Sequence, residues 1–401
     1  MTVTSVEAAS QGIDYNPFLF DIQHNPYPVY KRMRDEAPVY LHPELGFYAL
    51  TRYDDVLNAH LDPATFISSN GVTLEGGEMG QSLLITMDPP VHDWHRKVVS
   101  RLFTPRRIGG LEPSVRAIAG GLLDKFRDAD RFDAVEDFSI QLPLAVIGEL
   151  LGIPADMRQE VHYLADRLFT RDDTGTVSAE AAQATLDLAA LFYGLVVERR
   201  KNPGDDAVSL MITTEVVDDK GAGTFLSDEE LATRFLELAF AGHETVARLI
   251  ANGLVALMWE PDQRRQLIED RTLLPQAVEE MLRWDAPSHY QGRWVHRDVE
   301  LHGATIPAES RVLLVTGAAN HDERQYEHPE RFDLHRSVDR PVFFGFGVHL
   351  CIGAALARLE TRVAFDELLD RYPDYAIDEA GIVRMRAGNV RGLANLPLII
   401  G

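Results

Sequence analysis

The chain is short of cysteine, of basic residues and of long apolar runs. One residue in 401 is cysteine, Cys351, so no internal disulfide can form, and neither a cysteine-rich zinc site nor a redox C-x-x-C pair is possible. A reducing compartment is compatible with that usage. Lys and Arg number 39 against 62 Asp and Glu, a formal net charge of −23. So acidic a chain repels phosphates, which argues against nucleic-acid binding unless basic residues cluster. The first twenty residues carry no positive n-region and no apolar h-region, so no secretory signal is expected. The most apolar stretch, 231–258, is interrupted by Glu237, His243, Glu244 and Arg248. It falls short of the roughly 20 apolar residues that span a bilayer. No membrane association is expected, and the cytoplasm is the expected location. No repeat, no long linker and no G-x-G-x-x-G after a strand is present, so direct use of NAD(P)H or flavin is not expected.

The remaining composition, 45% hydrophobic and 25% charged, is that of a globular protein. With no linker to divide it, the chain reads as one large domain over 14–401, with a disordered N-terminus at 1–13. Helical periodicity dominates. Helices are predicted at 26–36, 88–103, 112–127, 141–152, 156–169, 179–201, 228–259, 261–268, 273–284 and 352–371. Strands are predicted at 37–41, 45–52, 294–300, 311–315 and 395–400. The class is mainly α with small β-sheets.

Two segments carry chemistry. Ser227 with Glu230 forms a capping box ahead of a helix closed by Pro261. Its flanks are apolar on most faces, yet its middle reads Ala241-Gly242-His243-Glu244-Thr245. A glycine and three polar residues at the centre of a buried helix conflict with propensity and burial, and such conflicts mark function or a kink. His243 there reads as hydrogen-bonded filler rather than a metal ligand. The second segment is Phe344-Gly345-Phe346-Gly347-Val348-His349-Leu350-Cys351-Ile352-Gly353. Its glycines allow a tight turn and close backbone approach. Cys351 then opens a helix, where free N–H groups and the dipole stabilise a thiolate. The pattern describes a thiolate offered to a metal or a large cofactor.

FGFGVHLCIG resembles the haem-binding loop of the cytochrome P450 monooxygenases, F-G-x-G-x-H-x-C-x-G, at every defined position. Further segments agree in the same order. Glu280-Met281-Leu282-Arg283 resembles the family's E-x-x-R, with Arg331 of Pro-Glu-Arg-Phe as its companion. The Ala241–Thr245 stretch resembles A-G-x-[DE]-T of the central helix. His92 and Arg96, one helical turn apart, Arg293 and His349 resemble the residues that hold the haem propionates. The resemblance covers about residues 25–400 and implies the P450 fold in a single haem domain, with haem b (iron protoporphyrin IX) as cofactor.

The resemblance also implies function. Cys351 is the expected axial ligand of the iron, favouring O–O cleavage. Thr245 with Glu244 is expected to supply protons for that cleavage. Ala241, Gly242, Phe344 and Gly345 are expected against the haem. One atom of O₂ would enter an apolar small molecule by hydroxylation or epoxidation, with electrons from a separate ferredoxin and ferredoxin reductase. A peroxygenase, a haem-thiolate isomerase or a haem ligand sensor is the alternative. By family position the substrate pocket draws on Thr73, Leu83, Leu84, Leu168, Leu238, Ala241, His289, Tyr290, Gln291, Leu393 and Ala394. Arg96, Lys97, Arg101, Arg106, Arg107, Arg358 and Arg362 are the candidate basic patch for an acidic ferredoxin.

Overall fold

One long helix, Asp228–Trp259, organises the molecule. The computed structural model describes residues 6, 10–74, 83–167, 178–217, 221–385 and 388–400. The helix starts at the predicted cap: Ser227 Oγ accepts the Glu230 N–H at 3.1 Å, and the Glu230 carboxylate accepts the Ser227 N–H at 2.7 Å. From Val246 to Leu257 every residue is buried, as befits a helix running through a core. The helices Gln141–Leu150, Ala179–Lys201, Leu274–Trp284 and Ala354–Arg371 pack against it. Gly253 lets three of them meet: an added Cβ would lie 2.8 Å from both Met281 Sδ and Phe365 Cζ.

Ala179–Lys201 is the described helix that is long and apolar enough to cross a membrane. Here it lies along the central helix, burying Ala184, Leu188, Phe192 and Leu195, with the Phe192 and Phe235 rings 6.0 Å apart.

A five-stranded sheet stands to one side, in the order Val39–His42, Phe47–Leu50, Arg311–Leu314, Gln291–Val295, Phe66–Ile67. The first two strands form a hairpin, Phe47–Leu50 runs parallel to Arg311–Leu314, and the other pairings are antiparallel. Arg293 lies opposite Val312 in this register. A three-stranded sheet joins Ala376–Ile377, Pro397–Ile399 and Arg131–Asp133.

Helices 179–201 and 228–259 end where predicted. Others differ for local reasons. Helix 88–103 runs Val91–Ser100, because Pro89 and Pro90 occupy its expected first turn. The strand expected at 294–300 is two strands, Gln291–Val295 and Val299–Leu301, the second paired with Ala304–Ile306. The helix after Cys351 begins at Ala354. Helix Tyr53–Leu61 was not predicted. Within the segment expected to be disordered, Val6, Ser10 and Ile13 are buried, and Ser10 Oγ accepts the Leu41 N–H at 2.9 Å.

Candidate active site

The loop before Cys351 folds back on itself. The Cys351 N–H donates to the Phe344 carbonyl at 2.9 Å and the Leu350 N–H to the Gly347 carbonyl at 3.1 Å. Gly345 and Gly347 both take positive φ, +69° and +68°, a region that costs little only for glycine. Gly347 also has no room for a side chain, since an added Cβ would lie 2.5 Å from the His60 carbonyl oxygen. The loop is thereby seated on the end of helix Tyr53–Leu61. Cys351 is accessible, yet protein encloses it closely enough that desolvation pushes its thiol pKa up. The two facts together describe a side chain facing an enclosed cleft. The N–H groups of Gly353 and Ala354 and the charges of Arg96 and Arg358 act in the opposite direction, favouring thiolate.

Donors gather around this loop. Arg96 donates to the Leu350 carbonyl at 2.6 Å. The His92 and His349 rings lie 4.4 Å apart. His92 Nδ1 meets Asp93 at 2.9 Å, while its buried Nε2 has no partner among the described residues. His349 Nε2 lies 3.2 Å from Ser68 Oγ, and burial, then Arg293, His92, Arg96 and His60, push its pKa down to about 2. Arg293 is 4% exposed. It donates to the Gly292 carbonyl at 2.7 Å, and burial lowers its pKa to about 10. Among the described residues it makes no ion pair. A buried guanidinium without a counter-ion is costly. A thiol, two guanidinium groups and two imidazoles fit a metal-bearing plate with carboxylate arms, because Arg matches carboxylates in fork geometry.

The centre of the long helix breaks its own burial pattern. Phe240 and Ala241 are exposed and Thr245 is half-buried, between turns that are buried. Gly242 brings the helix against Ile147, whose Cδ1 would be 3.0 Å from an added Cβ. Among the described residues, Thr245 Oγ1 makes only a long contact, 3.5 Å, to the Ala241 carbonyl. Glu244 does not accompany it. The buried Glu244 carboxylate accepts two bonds from Arg248, at 2.9 and 2.6 Å, and Arg248 also donates to the Leu393 carbonyl at 2.5 Å. His243 is buried with Nδ1 2.9 Å from the Ala239 carbonyl, as a helix-packed imidazole would be.

Glu280 and Arg283 are fully buried and doubly bonded, at 2.7 Å on each oxygen. Arg331 does not supply the third charge. Its side chain is 71% exposed, and only its carbonyl reaches Arg283. Arg336 takes the place instead, with Nε 3.2 Å from Glu280 Oε1. Chain direction explains the difference: Arg283 bonds the carbonyls of Pro329 and Arg331, which pins this stretch by its backbone and leaves the Arg331 side chain outward.

The expected pocket residues divide. Leu83 is half-buried, and the turn Leu84–Thr86 is held by the Glu237 carboxylate, which accepts the Leu84 and Ile85 N–H groups at 2.9 and 3.1 Å. Thr73 is half-buried, beside Val72, whose carbonyl accepts the Gly292 N–H. Leu238 and Leu393 are buried, Ala394 is exposed, and Leu168 lies outside the described residues. His289 is turned to Tyr30, 3.0 Å from its hydroxyl. Tyr290 is buried in the cluster of Tyr15, Tyr30 and Tyr40. Gln291 donates to Ser288 at 2.8 Å. Sequence reasoning missed Arg248 and Arg336. Arg248 stands one turn after Glu244, a spacing that could have revealed the pair.

A family model, Cytochrome P450, matches residues 159–374. The chain is 36% identical to the putative cytochrome P450 123 of Mycobacterium tuberculosis, over 96% of each chain. It is 38% identical to the vitamin D(3) 25-hydroxylase of Pseudonocardia autotrophica, over 94% of each. The solved cytochrome P450 CYP109Q5 from Chondromyces apiculatus shares the fold at a TM-score of 0.88, with 32% identity over 96% of this chain and 98% of that one. CYP109E1 from Bacillus megaterium, solved in complex with corticosterone, does so at 0.85, with 31% identity over 95% and 99%. These likenesses extend over nearly the whole chain, and the protein belongs to the cytochrome P450 family, as a haem-dependent monooxygenase of the bacterial type that hydroxylates small organic molecules.

Proposed function

We propose that this P450 hydroxylates an apolar molecule of steroid size in the cytoplasm, with electrons from an acidic ferredoxin reduced by a separate reductase. The observation that carries the apolar character of the substrate is the accessible centre of the long helix; its steroid size is taken from the relatives. Phe240 and Ala241 offer apolar surface there, with the Thr245 hydroxyl one turn on. The vitamin D(3) hydroxylase and the corticosterone complex among the relatives support the same class.

In this proposal the Cys351 thiolate ligates the iron. His92, Arg96, Arg293 and His349 hold the carboxylate arms, and Ala241, Gly242, Phe344 and Gly345 lie against the ring. Bound haem supplies the activation of O₂: one oxygen atom enters a C–H bond and the other leaves as water, consuming two electrons and two protons. The Thr245 hydroxyl, not tightly held by its own helix, is free to pass protons. Glu244 can serve as their source only after releasing Arg248. Among the candidate basic residues, Lys97, Arg101, Arg106 and Arg107 are exposed and make no ion pair among the described residues. They form the docking face for the ferredoxin.

The test is a titration of purified enzyme with steroids and with fatty acids, read by the haem spin-state shift. Turnover with ferredoxin, reductase and NAD(P)H follows. Steroids should give the shift and a singly hydroxylated product. A shift from fatty acids alone, or product from peroxide with none from ferredoxin, would overturn the proposal.

A further inference from the structure

We propose that His60 is an additional haem-binding residue, its imidazole hydrogen-bonding the carboxylate arm that Arg293 also faces. The inference rests on the cradle proposed above and adds a residue from an element outside it. His60 lies in the last turn of helix Tyr53–Leu61. Its ring stands beside the cysteine loop: an added Cβ on Gly345 would be 3.7 Å from His60 Cε1, and one on Gly347 would meet the His60 carbonyl at 2.5 Å. The glycines of the loop thus bring it onto this histidine.

His60 is 4% exposed, and neither ring nitrogen has a partner among the described residues. A neutral imidazole has one donor and one acceptor, and buried polar atoms are almost always satisfied. The other buried side chains near the end of this helix, Val56, Leu57 and Ala59, are apolar. A leucine would fill the place without the cost of two unpaired nitrogens, so filling space does not account for histidine here.

The surroundings indicate what the ring awaits. Burial and then Arg293 push the His60 pKa down to about 3, and His60 in turn is among the groups that act on His349. Arg293, His349 and His60 therefore form one cluster of donors. The acid acting on Arg293 is Asp88, whose two oxygens already accept the Ser68 and Ser69 N–H groups at 2.8 and 3.1 Å. A cluster rich in donors and poor in acceptors calls for an anion from outside the chain. The carboxylate arms of haem supply one.

The experiment compares holoenzyme variants His60→Leu, His60→Gln and Arg293→Leu. Haem transfer to excess apomyoglobin is followed by the Soret band, and propionate bending by resonance Raman. Hydrogen bonds to charged groups are the stronger kind, so His60→Leu should release haem roughly tenfold faster than wild type with a shifted propionate band. His60→Gln, which keeps an N–H, should restore both. Wild-type behaviour in His60→Leu alongside faster loss in Arg293→Leu would overturn the role of His60 and leave the cradle standing. Wild-type behaviour in both would overturn the two together. Faster loss in His60→Leu without a changed propionate band, or without rescue by glutamine, would mean that His60 only packs the loop.

Discussion

Glu244 and Thr245 are neighbours in the chain, but a helix turns successive side chains about 100° apart. The structure uses that rotation: Thr245 stays half-exposed, while Glu244 is buried against Arg248. The motif made them a pair because a motif records adjacency and not direction. The hydroxyl was legible because Thr in an apolar helix stands out. The ion pair was not, because Arg248 reads as an interruption until its partner one turn back is considered. The division of labour has a measurable consequence. Thr245→Ala should keep haem content and substrate affinity near wild type while removing the hydroxyl proposed to relay protons. Positioned proton transfer contributes about 10²–10⁴-fold, so product per NAD(P)H should fall roughly tenfold or more as electrons appear in free hydrogen peroxide. The check is product, peroxide and NAD(P)H assayed together. Unchanged coupling would show that protons arrive without Thr245.

At the scale of elements, the long helices were legible and the short ones only in part: Tyr27–Glu36 and Pro261–Glu269 follow from the sequence, Tyr53–Leu61 and Pro105–Gly110 do not. Ser178 and Ser227 cap the two longest helices with side-chain bonds to Ala181 and Glu230, and both starts follow from the sequence. Helix Pro105–Gly110 also has a capping Thr104, but Gly109 and Gly110 hide it, since glycine argues against a helix interior. Helix Tyr53–Leu61 has no cap from its own N-cap residue, Arg52; the carboxylate of Asp322, distant in sequence, accepts the Tyr53 N–H at 2.8 Å instead. The E-x-x-R element shows the same limit. Glu280 and Arg283 are readable because i and i+3 share a face, whereas the choice of Arg336 over Arg331 depends on how a distant loop lies. That choice can be measured. Arg336→Ala removes one of two guanidinium groups from a carboxylate that is fully buried; Glu280 keeps its two bonds from Arg283, so the loss is that of a charge-assisted hydrogen bond, about 1.5–3 kcal/mol. Arg331→Ala, at an exposed side chain, should stay within about 0.5 kcal/mol. Urea unfolding of the ferric holoenzyme compares them, and equal losses would contradict the arrangement.

Across the whole molecule, a net charge of −23 sets a background that repels acidic partners. Docking of a ferredoxin therefore depends on where basic charge is left unpaired. Sequence alone made Arg358 and Arg362 part of the patch. In the fold they line a surface cavity of about 730 Å³ with Glu112 and Glu279. Arg358 pairs with Glu279 at 2.5 Å and Arg362 with Glu112 at 2.6 Å, so their charge is largely cancelled. Arg96 is directed to the Leu350 carbonyl beside Cys351. What remains exposed is Lys97, Arg101, Arg106 and Arg107, on helix Val91–Ser100 and just beyond it. Steering by such a patch acts mainly on the encounter rate and is screened by salt over about 8 Å at physiological ionic strength. Reduction by an acidic ferredoxin should slow steadily as salt is raised. The double variant Lys97→Glu/Arg101→Glu should slow it roughly tenfold at low salt and flatten the salt dependence, with the substrate-induced spin shift unchanged. Stopped-flow reduction under CO gives the rates. A wild-type rate indifferent to ionic strength, or a double variant reduced as fast as wild type, would place the electron donor on another face.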